Sequence, residues 1–122
     1  MNNNSYRYLS DLDLSTFNRR NTRHNIKEGI ITLAIREISP CSFVAGASFC
    51  SPRDVRENKW RKEVGRGLAI IKQAIAVPFE MPEKFTRLDL TTSACKAVLA
   101  ETWCSSVPWA QRQLLLRTYS KE

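Results

Sequence analysis

The chain has 122 residues, 43% of them hydrophobic and 25% charged, as expected for one globular domain with a single core. No apolar run approaches the roughly 18 residues of a membrane-spanning helix, and the Asn-rich start lacks a signal peptide's apolar region, so we expect a cytoplasmic protein with its four cysteines as thiols. The formal net charge of +7 favours a polyanionic or acidic partner: nucleic acid, an acidic protein surface or a membrane face.

Residues 1–28 are predicted to form a flexible, basic N-terminal segment. Residues 1–5 are nearly all Asn and should be disordered, and the polar stretch after them has little periodicity beyond a short helical turn near 14–18. Its basic cluster contains no acid: Arg19, Arg20, Arg23, His24 and Lys27. Such a cluster is typical of an arm that follows a phosphate backbone, and equally of a solvated loop.

The next segment predicts an antiparallel β-hairpin. Residues 29–38 form a strand in which Ile31, Leu33 and Ile35 share one face. Turn-forming residues 39–42 then lead to a return strand over 43–50. Gly46 and its small neighbours leave room for a bulky group, expected to be the helix that carries Trp60, to lie against the sheet. One face of the return strand is apolar: Phe43, Ala45, Ala47 and Phe49.

Residues 51–76 predict one long helix that packs on this hairpin. Ser51 takes the N-cap position, Pro52 the first helical position and Asp54 the third, which is a capping box with an acidic third residue. Apolar residues at steps of four, four, three and four predict a buried stripe: Trp60, Val64, Leu68, Ile71 and Ile75.

The polar face of this helix is basic. Lys59, Lys62 and Arg66 fall opposite the apolar stripe and are expected to face solvent. Gly67 lies at the edge of the stripe, where a missing side chain predicts a close approach of the helix to the sheet.

The C-terminal third predicts a short strand and two helices. After a proline-punctuated connector over 77–82, residues 85–90 alternate as a third strand would. Residues 91–93 offer caps for a helix to about Cys104, and residues 105–108 precede a last helix. The predicted fold class is therefore α+β: an antiparallel hairpin, or a three-stranded sheet, packed on a basic amphipathic helix, with a C-terminal helical pair. Residues 29–122 form this single domain.

The four cysteines occur as two pairs of equal spacing, Cys41/Cys50 and Cys95/Cys104. Nine steps along a strand separate two residues by about 30 Å. Nine residues along a helix place them on opposite sides, about 13 Å apart. Neither pair can then share a zinc ion or a disulfide. Buried thiols acting as small hydrophobes are favoured, although a mixed site with His24 stays open.

The patterns of catalytic residues are weak. Cys50 precedes a helix N-terminus, which would lower its pKa, but His24 is the sole candidate for its base. The acidic residues show no convergent pattern for a metal-dependent nuclease. The glycines of Gly65-Arg66-Gly67 lie inside a helix rather than at a phosphate-binding turn. We therefore predict no enzyme, no catalytic or metal-binding residue and no cofactor.

What remains is a basic surface. Arg61 and Lys72 flank the basic face of the predicted helix. The sequence contains no DNA-reading motif, so any binding to nucleic acid would be mainly electrostatic and salt-dependent. The alternative is a solvated helix face that Glu57 and Glu63 neutralise. The residues predicted to bind nucleic acid or a partner are Lys59, Lys62, Arg66, Arg56, Arg19, Arg20, Arg23 and Lys27.

Two stretches resemble a motif of short uncharacterised phage and prophage proteins. They are Ala47-Ser48-Phe49-Cys50-Ser51-Pro52-Arg53-Asp54 and Lys62-Glu63-Val64-Gly65-Arg66-Gly67-Leu68-Ala69. The motif runs as a strand, Cys-Ser-Pro-x-Asp, a basic helix and Gly-Arg-x-x-Ala. The resemblance carries over no activity and no functional residue. It implies a mobile-element context, in which small host-takeover, regulatory or anti-defence proteins act by binding.

Together these patterns predict a small phage-type, non-enzymatic binding protein. Its basic helix face would engage nucleic acid or a nucleic-acid-handling host complex. The alternative is an anti-defence inhibitor, similar to an anti-CRISPR, that acts by protein–protein occlusion, and a thiol- or metal-dependent enzyme ranks third. The expected partners are nucleic acid or an acidic or nucleic-acid-binding host protein complex, not a membrane. A homodimer stays open, and an exposed apolar patch at Trp103, Trp109 or Tyr119 would favour one or another protein interface.

Overall fold

The computed structural model describes residues 3–10, 27 and 29–120, and these form an α+β fold, as predicted. Within this part of the chain, four strands make one antiparallel sheet in the order β1 (Ser5–Ser10), β2 (Ile30–Ser39), β3 (Ser42–Cys50) and β4 (Phe79–Glu80). Helices α1 (Pro52–Arg56) and α2 (Lys62–Gln73) follow β3. Helix α3 (Arg87–Ala100), a 3₁₀ turn (Thr102–Ser106) and α4 (Trp109–Ser120) complete the described elements. No described helix has the length and apolar character needed to cross a bilayer.

The predicted hairpin is confirmed and forms the centre of the sheet. Strands β2 and β3 pair from Ile30 opposite Cys50 to Ser39 opposite Ser42. The turn is therefore tighter than the predicted four residues, and Cys41 lies in the left-handed region at φ 63°. The predicted alternation of faces is also confirmed, because the apolar residues predicted to share a face in each strand lie in or against one core cluster.

The edge strand β1 corrects the prediction for the N-terminal segment. Residues 5–10 pair with β2 along their whole length, from Ser5 opposite Ile35 to Ser10 opposite Ile30. The prediction of a flexible segment over 1–28 is wrong for these residues. The predicted turn near 14–18 and the cluster of Arg19, Arg20, Arg23 and His24 lie outside the described residues, whereas Lys27 is described and exposed.

Helices α3 and α4 cover one face of the sheet and complete its main core. Ile31, Leu33 and Ile35 of β2 are at most 1% exposed on this side. The predicted helical pair is confirmed, but the strand predicted over 85–90 is wrong. Thr86 instead caps α3 in a reciprocal capping box with Asp89. The side chains that α3 and α4 contribute to the core include Leu90, Ala94, Cys95, Val98, Leu114 and Leu115.

Helix α2 packs on the opposite face through its smallest residues. A Cβ at Gly46 of β3 would lie 2.1 Å from the carbonyl oxygen of Ala69 and 2.2 Å from the amide nitrogen of Gln73. A Cβ at Gly65 of α2 would lie 2.7 Å from Oγ1 of Thr32 in β2. The predicted room at Gly46 is thus confirmed, and it is filled by the backbone of α2, which lies within the helix predicted over 51–76. Trp60 is buried at one end of this face, beside Ile30 and Val55.

The helix predicted over 51–76 is broken after its first turns. Ser51 caps α1 as predicted, since its hydroxyl accepts a hydrogen bond from the amide of Asp54 at 3.1 Å. Asn58 then takes the left-handed conformation at φ 62°. The amides of Asn58 and Lys59 bond back to the carbonyls of Val55 and Asp54, which is a Schellman motif. Asn58 is the residue type that suits this position, so the sequence contained the stop signal.

The orientation of α2 is the reverse of the prediction. Val64, Leu68, Ile71 and Ile75 are 59%, 51%, 62% and 66% exposed, so the predicted buried stripe faces outward except at Trp60, which is buried as predicted. The buried residues of α2 are instead Gly65, Ala69 and Gln73. A backbone-to-backbone approach at Gly46 admits only small side chains at the contact, and the large aliphatic residues must turn away. A close approach at Gly67 is also wrong, since a Cβ there would meet no atom within 4 Å.

Two glycine substitutions test this packing. Gly67→Ala is expected to raise the free energy of unfolding by about 1 kcal/mol, because Gly67 is an exposed residue inside a helix with open space around it. Gly46→Ala is expected to lower it by about 3 kcal/mol, because its Cβ would collide with backbone atoms that cannot rotate away. Urea unfolding followed by circular dichroism measures both. A stable Gly46→Ala variant would contradict the close contact of α2 and β3.

Candidate nucleic-acid interface

Two tyrosines of β1 lie on the face of the sheet that carries α2. The strand register places Tyr6 opposite Ala34 and Tyr8 opposite Thr32, both on that face. Arg7, between them, points to the other face and donates to Oγ1 of Thr91 at 2.9 Å. Because strand residues alternate between faces, the short run Tyr6-Arg7-Tyr8 delivers both rings to the side of α2.

Lys62 and Arg66, one turn apart on α2, lie against these rings. Nε of Arg66 donates to the hydroxyl of Tyr8 at 2.5 Å, and its guanidinium carbon lies 4.6 Å from the ring centre of Tyr6. Nζ of Lys62 lies 5.3 Å from the ring centre of Tyr8. Tyr8 itself packs edge-on against Trp60, with 6.1 Å between ring centres. We call Tyr6, Tyr8, Lys62 and Arg66 the tyrosine–cation patch.

The two cations of the patch are held by groups that carry no negative charge. Aromatic rings and a phenol hydroxyl hold a cation in place without neutralising it, in contrast to a carboxylate. No ion pair found among the described residues includes Lys62 or Arg66. Lys62 is exposed and Arg66 half-buried, so both cations can reach a ligand in solution.

The predicted residue Lys59 lies in a different environment. It falls in the break between α1 and α2, and its Nζ lies 3.0 Å from a carboxylate oxygen of Glu57. Arg53 contacts the other oxygen of Glu57 at 2.9 Å. Hydrogen bonds from Arg53 and Lys59 hold the pKa of Glu57 well below its usual range, at about 2. The predicted neutralising role of Glu57 is therefore confirmed for Lys59.

The remaining predicted cations do not join one stripe. Arg56 is exposed on α1, and Arg61 is bound back to the carbonyls of Asn58 and Trp60 at 2.8 and 2.9 Å. Lys72 lies toward the 3₁₀ turn, with its Nζ 5.0 Å from the ring centre of Trp103. Among the predicted cations that the structure describes, only Lys62 and Arg66 contact the tyrosines, because they lie on the side of α2 that faces β1.

The cysteines do not form an activated nucleophile in the described structure. Burial, reinforced by the nearby Asp54 carboxylate, raises the pKa of the Cys50 thiol to about 11, so the predicted lowering by the helix N-terminus is wrong. Cys95 and Cys104 are buried, as predicted for small hydrophobes, whereas Cys41 and Cys50 are half-buried, and all four cysteines are free thiols. The described residues contain no cluster of three or more His, Cys, Asp or Glu that could hold a metal ion. His24 lies outside them.

The outward stripe of α2 borders two depressions. One, of about 390 Å³, lies between Leu68 and Ile71 on one side and Trp103 and Val107 of the 3₁₀ turn region on the other. The second, of about 160 Å³, lies toward Trp60 and shares Leu68 and Phe49 with the first. An apolar ridge flanked by hollows is a surface typical of protein contacts.

Tyr6 and Tyr8 are the site residues that the sequence prediction missed. The alternation Tyr6-Arg7-Tyr8-Leu9 has the period of a strand, and this signal was available in the sequence. Their pairing with Lys62 and Arg66 could not be read from the sequence, because it depends on the register of β1 on β2.

Comparisons with known proteins found no family model, no curated protein and no solved structure that matches this chain.

The bond between Arg66 and Tyr8 is testable by a double-mutant cycle. Tyr8→Phe is expected to lower the free energy of unfolding by about 1 kcal/mol, because it removes a part-buried hydrogen bond but keeps the ring against Trp60. In an Arg66→Ala background the same change should cost close to nothing. Urea unfolding of the four proteins measures the coupling, and purely additive effects would contradict the contact.

The thiol chemistry of Cys50 is testable by alkylation. In a Cys41→Ser background, the raised pKa of about 11 is expected to leave about a hundredfold less thiolate at neutral pH than an ordinary thiol has. Labelling with iodoacetamide should accordingly be slow and should accelerate with pH up to the pKa. The protein unfolded in urea is the control. Fast labelling of the folded protein at neutral pH would revive Cys50 as a nucleophile.

Proposed function

We propose that this protein is a non-enzymatic binding protein that engages nucleic acid through the tyrosine–cation patch. The observation that carries the proposal is the pair of cations, Lys62 and Arg66, held by Tyr6 and Tyr8 without a described carboxylate partner. The chain's net charge of +7 supports an anionic ligand. The target is nucleic acid itself or a host complex that handles it.

The patch suits a phosphate backbone because its cations are ordered in advance. Arg66 uses Nε on Tyr8, which leaves the two terminal nitrogens of its guanidinium for a phosphate. Lysine and arginine side chains lose rotational freedom when they bind, and a ring that already restrains them reduces this loss. The contacts would position a phosphate backbone rather than read bases, so binding should show little sequence preference.

The proposal includes the biological context of the protein and its location in the cell. The resemblance to phage and prophage proteins suggests a mobile-element protein that acts on a bacterial host. A cytoplasmic location fits both nucleic acid as the target and the free thiol state of the cysteines.

A charge-matched pair of variants tests the proposal. Lys62→Ala/Arg66→Ala is expected to weaken binding to short duplex and single-stranded DNA and RNA at least tenfold at physiological salt. The slope of log Kd against log salt should fall by about two, one for each lost phosphate contact. Fluorescence anisotropy over a salt series measures both.

The control is Lys84→Ala/Lys96→Ala, which removes the same net charge from the region of α3. It should leave binding within about twofold, because screening limits distant surface charges. Equal losses of affinity in the two variants would show that net charge, rather than the tyrosine–cation patch, determines binding. Absence of binding by the unaltered protein at low salt would overturn the proposal.

A second candidate is an anti-defence inhibitor that acts by protein–protein occlusion. The observation in its favour is the outward apolar stripe formed by Val64, Leu68 and Ile71 of α2 and by Ile75 just after it, each more than half exposed. The two candidate functions respond to different variants. Changes at Leu68 and Ile71 would remove inhibition, whereas changes at Lys62 and Arg66 would not. The described residues offer no observation that favours a thiol- or metal-dependent enzyme.

A further inference from the structure

A buried arginine of β1 carries a charge that no described carboxylate balances. Arg7 is 8% exposed and lies on the face of the sheet opposite the tyrosine–cation patch. Its Nε donates to Oγ1 of Thr91 in α3 at 2.9 Å, and its Nη1 donates to Oγ of Ser5 and to the carbonyl of Tyr6. These three acceptors are neutral. Burial of a charge is costly unless an opposite charge accompanies it, so this guanidinium has hydrogen bonds but no counterion within the described chain.

One terminal nitrogen of Arg7 stays open to a ligand. The three contacts use Nε and Nη1, and no contact among the described residues uses Nη2. Nη2 also reaches solvent, in contrast to the unpaired Nε atoms of Arg36 and Arg112, which are sealed inside the protein. The neutral partners thus fix the plane of the guanidinium and leave its two remaining N–H groups at the surface.

A second arginine lies beside the first. Arg87 is the first residue of α3 and is exposed. Thr91 follows it by four residues, and its hydroxyl donates to the carbonyl of Arg87 at 2.9 Å. Residues four apart share one face of a helix, so Arg87 lies on the side of α3 that holds Arg7. Burial, and then repulsion from Arg87, lower the pKa of Arg7, so the two cations interact. We call Arg7 and Arg87 the arginine pair.

The acidic residue of the first turn of α3 does not compensate this pair. Asp89 lies two residues from both Arg87 and Thr91, which places it on the opposite side of the helix. Its carboxylate accepts a hydrogen bond from the amide of Thr86 at 3.0 Å in the capping box. No ion pair among the described residues includes Arg7 or Arg87. Two like charges therefore lie together at the start of a helix, whose dipole adds further positive potential.

We propose that the arginine pair is a second anion site, which binds a phosphate group on the face of β1 opposite the tyrosine–cation patch. One phosphate oxygen would accept from Nη2 of Arg7 and another from the guanidinium of Arg87. The bound group supplies the counterion that the described chain lacks. Phosphate suits two guanidinium groups because its several oxygens accept hydrogen bonds from both at once.

This inference goes beyond the proposed function and does not depend on it. The cations of the tyrosine–cation patch, Lys62 and Arg66, lie on the other face of the sheet and contact different residues. A free phosphate ion and the backbone of a nucleic acid present the same kind of oxygen to the arginine pair. Titration with each of them separates the two sources.

Nuclear magnetic resonance of the Arg7 side chain tests the site. Its Nε–H resonance, held on Thr91, is expected to shift and saturate as sodium phosphate replaces sodium chloride at constant ionic strength. General screening is the same in both salts and cannot produce this difference. Arg87→Gln should raise the Kd for phosphate at least about fivefold, because it removes one of the two charges. Arg87 is exposed, so this variant should fold normally.

The matched control is Arg56→Gln, which makes the same exchange at an exposed arginine of α1. It should leave the Kd for phosphate within about twofold. A short single-stranded oligonucleotide without terminal phosphates is the second titrant. A shift of the Arg7 resonance that Arg87→Gln weakens would assign the ligand to a nucleic-acid backbone. A shift with inorganic phosphate alone would assign it to a free phosphate group, and both results support the site.

Two results would overturn the site. The first is an Arg7 resonance that neither inorganic phosphate nor the oligonucleotide moves. The second is an equal loss of affinity in Arg87→Gln and Arg56→Gln, which would show only a general attraction of anions to a chain of net charge +7. Lys62→Ala/Arg66→Ala should bind inorganic phosphate as tightly as the unaltered protein. Failure of the proposed function would therefore leave this titration unchanged.

Discussion

The contact between Gly46 of β3 and the backbone of α2 sets the arrangement of this face of the protein. The carbonyl of Ala69 and the amide of Gln73 lie where the side chain of residue 46 would begin, so the helix lies too close to the strand for any side chain at that position. Gly65 and Ala69 fit in this layer because they are small. Gln73, the one large residue there, is buried by satisfying its amide, which donates to the carbonyl of Ala34 at 2.9 Å.

This constraint turns the aliphatic residues of α2 outward. In an ordinary amphipathic helix the large apolar residues supply the burial that stabilises the layer. Here the layer on the α2 side is thin, and most of the burial comes from the opposite face of the sheet, where α3 and α4 pack on Ile31, Leu33 and Ile35. The protein therefore supports an exposed apolar stripe on α2 without losing its main core.

The same rotation brings two cations to the edge strand. With Gly65 and Ala69 against the sheet, Lys62 and Arg66 fall on the side of α2 that faces β1, where Tyr6 and Tyr8 hold them. The orientation of α2 thus places a charged patch on the β1 side of the helix and an apolar stripe on its outer side. The two surfaces are suited to different ligands, and the charged patch is the one through which we propose that the protein engages nucleic acid.

The sequence by itself determined the elements that depend on neighbours along the chain. The β2–β3 hairpin, the cap at Ser51, the room at Gly46 and the C-terminal helical pair all follow from alternation, capping and residue size. It also contained signals that went unused, such as Asn58 as a helix stop, the capping box of Thr86 with Asp89, and the alternation of Tyr6 to Leu9.

What only the tertiary structure decided is which side of α2 is inside. Helical periodicity groups residues on a face but does not say whether that face meets the core or solvent, and two small-residue positions outweighed four aliphatic ones. The tyrosine–cation patch depends on this rotation and on the register of β1 with β2, which joins residues more than 50 positions apart. No local pattern encodes such a pairing, because it forms only when the strand and the helix meet on the same face of the sheet.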